Sequence, residues 1–332
     1  MRRLSVPGRG PQRALPTNEQ ALRPKTLAQY RRVLQSFLIW LSQIGLEPET
    51  AEEFDDLPIE YRYGVDGAGP VTKGTFEHLV SAIERVLPHY KGMLCLCKAE
   101  ISQWRVVYHI RHSIPLLPLW AMTLGFGFSK LGLPAVGLLV ILQSLTGLRP
   151  SEALGLKAAD IILPNAQLTD SLAGFLLLGL KVGTKARRPQ SVRVVHPLAL
   201  TLMAALKVAA SAAGDVTHLR TLGGLAYTMS RAAVGVGLGH VGWRPHSGRS
   251  GFVTWRTMEG DTPEAIMAVT RHVALSSFRT YLDVTAVAAG KLAEELRARS
   301  QFMSFCVRSV PQLLVKQLLS SDPLSPQIGV PN

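Results

Sequence analysis

Five side chains between residues 149 and 281 have types that suit chemistry on a phosphate ester. Arg149 stands alone, His246 and Arg249 form an H-x-x-R pair, and His272 precedes Tyr281 by nine positions. Arginine stays charged and can donate paired hydrogen bonds to phosphate oxygens. A tyrosine hydroxyl can attack phosphorus once a neighbouring base takes its proton, because its ordinary pKa is about 10. The set therefore favours work on a phosphodiester.

Carboxylates do not dominate the sequence around these residues. Metal-dependent phosphate chemistry needs carboxylates to hold a divalent ion, whereas guanidinium and imidazole donors suffice for metal-free transfer. A zinc site at Cys95, Cys97, His109 and His112 is disfavoured, because both pairs are spaced one residue more tightly than usual zinc ligands. The sequence thus favours metal-free chemistry and indicates no cofactor.

These motifs resemble those of the tyrosine recombinase family, the phage-integrase class. Residues 146–156 (TGLRPSEALGL) with Asp160-Ile161 are similar to its first arginine motif, and His246-x-x-Arg249 to its H-x-x-R motif. The 23 residues from Arg249 to His272, and the nine that follow to Tyr281, are intervals that the family commonly shows. Tyr30, Phe37 and Trp40 resemble the opening helix of its core-binding domain. The resemblance covers 26–299 and is strongest over 142–283.

The resemblance implies a role for each residue of the site. Arg149 and Arg249 would bind the scissile phosphate, His246 would act as base, and His272 would donate to the phosphate. Tyr281 would form a covalent 3′-phosphotyrosyl intermediate.

A hairpin lysine would protonate the leaving 5′ oxygen, as the resemblance implies. Lys181 ends a strand and Lys185 lies in the following loop. Lys181 is favoured because a strand end positions a side chain better than a loop does. Lys185 remains the alternative.

Single residues also have simpler interpretations. Arg149 could pair with Glu152, and Arg271, which stands where the family commonly has glycine, could contact phosphate or form a surface salt bridge. Gly248 and Ser250 replace a leucine and a histidine that are usual around Arg249. None of these departures removes a catalytic group.

The net charge of +13, from 36 Lys and Arg against 23 Asp and Glu, favours a polyanionic partner. A hydrophobic content of 47% excludes a disordered polycation. Double-stranded DNA is the expected partner, bound between two domains by basic side chains, namely Lys185, Arg187 and Arg188 on the hairpin and Arg31 and Arg32 on the first helix.

The expected fold class is mainly α with a small antiparallel sheet (α+β), in two domains. Periodicity predicts strands at 174–182 and 191–195 and helices at 26–45, 76–86, 134–145, 150–157, 198–212, 248–258, 262–271 and 287–299. The expected organisation is a flexible basic arm (1–25), a helical SAM-like core-binding domain (26–110), a catalytic domain (111–300) and a C-terminal tail (301–332). The resemblance implies that residues 287–319 dock onto a neighbouring subunit, as the C-terminal helices of the family do.

A membrane protein is the rival class, because residues 113–148 carry one charge, Lys130. Its apolar halves fall short of the ~20 residues that a span requires, and Pro115, Pro118 and Pro134 interrupt them. Two buried helices are favoured, and no membrane contact is expected. Three cysteines indicate a reducing compartment.

The expected location is the cytoplasm or nucleoid of a prokaryote, or a eukaryotic nucleus, rather than secretion. Residues 1–17 lack the apolar stretch of a secretory signal, although their arginines keep organellar targeting as an alternative.

The resemblance implies a metal-independent site-specific recombinase or integrase, of the kind that mobile elements encode, which assembles as a tetramer on DNA. One alternative is a catalytically decayed DNA-binding protein of mobile-element origin. Another is a type IB topoisomerase-like enzyme that relaxes DNA as a monomer.

Overall fold

The structure is a computed structural model whose chain divides into two compact units, Met1–Arg111 and His112–Asn332. Each unit has its own hydrophobic core. The described residues are 24–63, 71–107, 113–165, 172–178, 190–210, 214–219, 221–272, 275, 278 and 299–320.

The first unit contains four α-helices within the described residues, α1 (Pro24–Ile44), α2 (Ala51–Tyr63), α3 (Lys73–Val86) and α4 (Cys95–Val107). Phe37, Trp40 and Leu41 of α1 are buried, and the Phe37 ring lies 6.2 Å from that of Phe54 on α2. Helix α2 was not predicted, because it contains Pro58 and several carboxylates that interrupt the apolar periodicity of its sequence.

Asp55 of α2 fixes the start of α4. Its carboxylate accepts hydrogen bonds from the backbone N–H groups of Leu96 (2.6 Å) and Cys97 (3.1 Å), which have no partner within their own helix. The Cys97 thiol donates to the Asp55 carbonyl oxygen at 3.2 Å, and burial raises the pKa of this thiol. Among the described residues no group of His, Cys, Asp and Glu could hold a metal ion; His109 and His112 lie outside them.

The second unit is built around two buried helices, α5 (Pro118–Lys130) and α6 (Pro134–Thr146). Each begins with a proline, whose missing N–H would have no helical partner at that position. These are the two helices expected in place of a membrane span, and no described helix is long and apolar enough to cross a bilayer.

The other α-helices of this unit with bounds inside the described residues are α7 (Pro150–Leu154), α8 (Pro197–Ala210), α9 (Leu222–Gly235), α10 (Ser247–Met258), α11 (Pro263–Thr270) and α12 (Ser300–Ser320). Helix α7 ends at Leu154, short of the predicted residue 157. The predicted helix at 287–299 falls almost wholly outside the described residues.

A three-stranded antiparallel sheet completes the unit, in the order β1 (Ile161–Ile162), β2 (Gly174–Leu178), β3 (Gln190–Val194). Leu176 pairs with Ile161 on one side and with Val192 on the other, and all three side chains are buried. The predicted strands are confirmed over 174–178 and 191–194, residues 179–182 lie outside the described residues, and β1 was not predicted. The expected fold class, mainly α with a small antiparallel sheet, is confirmed.

The expectation of a tail from residue 301 is wrong for residues 301–320, which belong to α12. Buried residues recur there at helical spacing, at Met303, Cys306, Val310 and Leu314. They join the main core of the unit. This helix therefore docks on its own chain, because burying its apolar stripe requires a facing apolar surface.

Candidate active site

Arg149 lies where the chain turns from α6 into α7. Helix α6 ends at Gly147, whose φ of 66° is in the left-handed region that favours glycine. Arg149 then occupies the N-cap position of α7. The Glu152 carboxylate accepts hydrogen bonds from the Arg149 backbone N–H and from its Nη1, both at 2.7 Å. The local ion pair considered from the sequence is therefore present, and it orients Arg149.

Arg249 lies inside α10 and is 2% exposed. Its Nη1 donates to the Gly147 carbonyl oxygen at 2.7 Å, and its Nη2 donates to the Thr270 carbonyl oxygen. A buried cation is stable only when its N–H groups find acceptors. Arg249 thus fastens the turn before Arg149 to the end of α11.

His272 follows α11 and contacts Arg249. Its Nε2 lies 3.2 Å from Arg249 Nη2, and its Nδ1 lies 2.8 Å from Thr270 Oγ1. A guanidinium can only donate, so Nε2 must accept and Nδ1 must carry the proton. The Thr270 hydroxyl then accepts a hydrogen bond from Nδ1–H and donates one to the Ile266 carbonyl oxygen at 2.7 Å.

The surroundings of His272 keep its imidazole neutral. Burial lowers the pKa of His272 to about 4, and the positive charges of Arg249, Arg149 and Arg271 act in the same direction. With its proton directed at Thr270, His272 here holds Arg249 in place. Its donation to a phosphate stays a prediction.

Arg271 connects the end of α11 to Glu152. Its Nη2 contacts the second Glu152 oxygen at 2.5 Å, and its own carbonyl oxygen accepts from Arg149 Nη2 at 3.3 Å. The ion pair is largely buried, with side-chain exposures of 8% for Arg271 and 11% for Glu152. Of the two roles considered for Arg271, the structure shows the salt bridge, although not on the surface.

The guanidinium groups of Arg149 and Arg249 therefore bind consecutive carbonyl oxygens, those of Arg271 and Thr270. A guanidinium has five N–H groups. Within the described residues, Nη1 and Nη2 of Arg149 each donate one hydrogen bond to a protein acceptor. The Arg149 side chain is also 25% exposed. The arrangement leaves it able to bind an oxyanion without giving up the bonds that orient it.

Of the other predicted site residues, three lie in the described part of the chain and five do not. His246 is exposed at the N-cap position of α10, one turn before Arg249. Arg31 and Arg32 are exposed on α1 in the first unit. Five residues lie outside the described part of the chain, namely Tyr281, Lys181, Lys185, Arg187 and Arg188.

Two residues that position the site were missed by sequence reasoning, Thr270 and Gln143. Thr270 lies two residues before His272, a spacing that carried no signal of its own. Gln143 is 1% exposed within the apolar helix α6. A long polar side chain in a helix whose other polar residues are only Ser144 and Thr146 was the available signal.

Acidification should destabilise the protein through His272. The unfolded imidazole takes up a proton near its ordinary pKa of 6.5, whereas the folded one does so only near 4. Stability from this group is therefore complete above 6.5 and is lost as the pH falls from 6.5 towards 4. We expect His272→Gln to reduce the fall in unfolding free energy over that range, as measured by urea denaturation at several pH values. Identical pH dependence in both proteins would contradict the neutral assignment.

Comparisons with known proteins give structural likeness without sequence matches. No family model and no curated protein matches the sequence. The fold is similar to the XerH site-specific recombinase in a pre-cleavage complex with its difH substrate, with a TM-score of 0.51 at 16% identity over 77% of this chain and 76% of that one.

The XerH structure in a post-cleavage complex with palindromic difH gives a TM-score of 0.58 at 15% identity, over 83% of this chain and 79% of that one. The motif resemblance and this architecture agree: the chain has the tyrosine recombinase fold.

Proposed function

We propose that the protein is a tyrosine-type DNA strand transferase, a site-specific recombinase or integrase that needs no metal. The observation that carries the proposal is the convergence of Arg149, Arg249 and His272 on the chain segment 270–272. Arg149 and Arg249 donate to backbone carbonyl oxygens there and His272 accepts from Arg249, and the three residues come from separate helix ends. Their proposed ligand is the scissile phosphate of duplex DNA.

In the proposed reaction the Tyr281 oxygen attacks the phosphorus atom while His246 takes the phenolic proton. A bond forms between Tyr281 and phosphorus, and the bond from phosphorus to the 5′ oxygen breaks. Lys181, or alternatively Lys185, gives that oxygen a proton. The products are a 3′-phosphotyrosyl bond and a free 5′ hydroxyl. Attack by a 5′ hydroxyl reverses the step, so rejoining consumes no nucleotide cofactor.

The carboxylate of the site supports the metal-free assignment. Both oxygens of Glu152 accept hydrogen bonds, from Arg149 and from Arg271. A divalent cation at Glu152 would have to displace these guanidinium groups. Phosphate charge is therefore assigned to arginine, whose preorganised donors can contribute on the order of 10²- to 10³-fold in rate each.

The XerH structures contain a difH substrate, which favours duplex DNA as the partner proposed here. Recombination between two sites would require four protomers, and a tetramer on DNA is part of the proposal. A decayed DNA-binding protein would bind without forming an adduct. A topoisomerase-like enzyme would form an adduct and relax supercoils as a monomer.

Covalent trapping tests the proposal. Duplexes that the protein binds are first selected from a random pool. A nick is then placed close to each candidate scissile bond, so that cleavage releases a short fragment with a free 5′ hydroxyl, which diffuses away and prevents rejoining. We expect a denaturation-resistant adduct with the wild-type protein and none with Tyr281→Phe.

Tyr227→Phe is the matched control, because Tyr227 is an exposed tyrosine on α9. It should form as much adduct as the wild type. An equal amount of adduct with Tyr281→Phe would refute the assignment of Tyr281 as the nucleophile. The absence of a wild-type adduct on the selected DNA would refute the proposal that the protein is a strand transferase.

Arg271→Gly should separate the backbone role of Arg271 from that of its side chain. The φ of 61° favours glycine by about 1 kcal/mol, so the backbone should tolerate the change. Loss of the bond to Glu152 should leave Arg149 less well oriented and slow adduct formation by about 10-fold. DNA affinity, measured in parallel, should change little. An unchanged rate would show that the ion pair does not orient Arg149.

A further inference from the structure

The buried side chain of Gln143 links the two loops that carry the proposed phosphate and proton-transfer residues. Its Nε2 donates to the carbonyl oxygens of Leu148 at 3.2 Å and Pro245 at 3.1 Å. Leu148 directly precedes Arg149, and Pro245 directly precedes His246. One amide group therefore joins the Leu148 carbonyl oxygen to that of Pro245, which lies 102 residues after Gln143 in the sequence.

The backbone of Gln143 strengthens the same link. Its carbonyl oxygen accepts from the Gly147 N–H at 2.9 Å, which closes α6. Gly147 in turn supplies the carbonyl oxygen that Arg249 Nη1 binds. Gln143 thus contacts the Arg149 turn through its backbone and its side chain, and it contacts the start of α10 through its side chain.

Gly248 provides the space that Gln143 occupies. A Cβ atom at Gly248 would lie 2.7 Å from Gln143 Oε1, 3.0 Å from Cδ and 3.2 Å from Cγ. Real Cβ atoms essentially never approach below 3.0 Å, so any side chain there would displace the amide. Glycine within a helix is less stable than alanine. With the Gln143 amide in this position, only glycine fits immediately before Arg249.

We infer that Gln143 and Gly248 form a positioning pair that sets the distance between Arg149 and the His246-to-Arg249 turn. The inference rests on the proposed function, because the spacing matters only if these side chains act on one phosphate. Gln143 is buried and does not touch DNA in this scheme. It acts through the carbonyl oxygens that precede the two reacting side chains.

The first test replaces Gln143 by methionine, which is similar in length and lacks the donor. Single-turnover adduct formation is measured at saturating nicked DNA, together with DNA affinity and the melting temperature. Displacing reacting groups by about 1 Å can cost on the order of 10²-fold in rate. We expect a fall of 10-fold to 10²-fold in the saturated rate, with DNA affinity within about threefold, because the basic surface is unchanged.

Ser144→Ala is the matched control. Ser144 is the next residue, equally buried, and its hydroxyl donates to the Ile141 carbonyl oxygen within the same helix. It loses a buried polar group without touching either loop. The control should keep the wild-type rate even if its melting temperature falls as much as that of Gln143→Met. Equal rates in the two variants, measured well below both melting temperatures, would overturn the positioning role.

A double-mutant cycle tests the pair even if one variant folds poorly. Gly248→Ala should slow the reaction strongly in the wild-type protein and add little in a Gln143→Ala protein, where the colliding atoms are gone. Independent, multiplicative effects would overturn the pairing. An active wild type with multiplicative effects refutes only this inference. A wild type that forms no adduct on selected DNA refutes the proposed function, and the inference falls with it.

Discussion

The burial of Arg249 is the constraint on which the rest of the site depends. A guanidinium that is 2% exposed must direct its N–H groups at acceptors, or the loss of hydration would destabilise the fold. The acceptors are backbone carbonyl oxygens of Gly147 and Thr270. The last carbonyl oxygens of a helix have no partner within it, so carbonyl oxygens at a helix end are available as acceptors. Arg249 therefore requires that α6 and α11 both end beside α10.

The same requirement explains the charge states in the site. Burial holds the pKa of His272 well below its ordinary value, the positive charges of three arginine side chains act in the same direction, and the ring stays neutral. Glu152 balances part of this charge through its ion pairs with Arg149 and Arg271. Burial also lowers the pKa of Arg271, although the adjacent carboxylate opposes the effect. A cluster with excess positive charge is a prepared site for an anion, because the protein has already oriented the donors.

The reacting side chains could be named from the sequence, whereas their supports could not. Arg149, His246, Arg249 and His272 have distinctive types at recognisable spacings, and helical periodicity located most of the helices that carry them. Gln143, Thr270 and the left-handed Arg271 act through contacts with atoms distant in the sequence. Those contacts exist only once α6, α10 and α11 have packed. Helix α12 was missed for a related reason: its apolar stripe has meaning only against the core that it covers.

If the arginines act by neutralising the charge of the scissile phosphate, they should matter little on a substrate whose scissile phosphorus carries no charge. The measurement compares wild type and Arg149→Ala on the selected nicked DNA with either a normal phosphodiester or an uncharged methylphosphonate at the scissile position. The proposed mechanism predicts that Arg149→Ala slows cleavage by on the order of 10²- to 10³-fold on the phosphodiester and by much less on the methylphosphonate. An equal deficit on both substrates would contradict it.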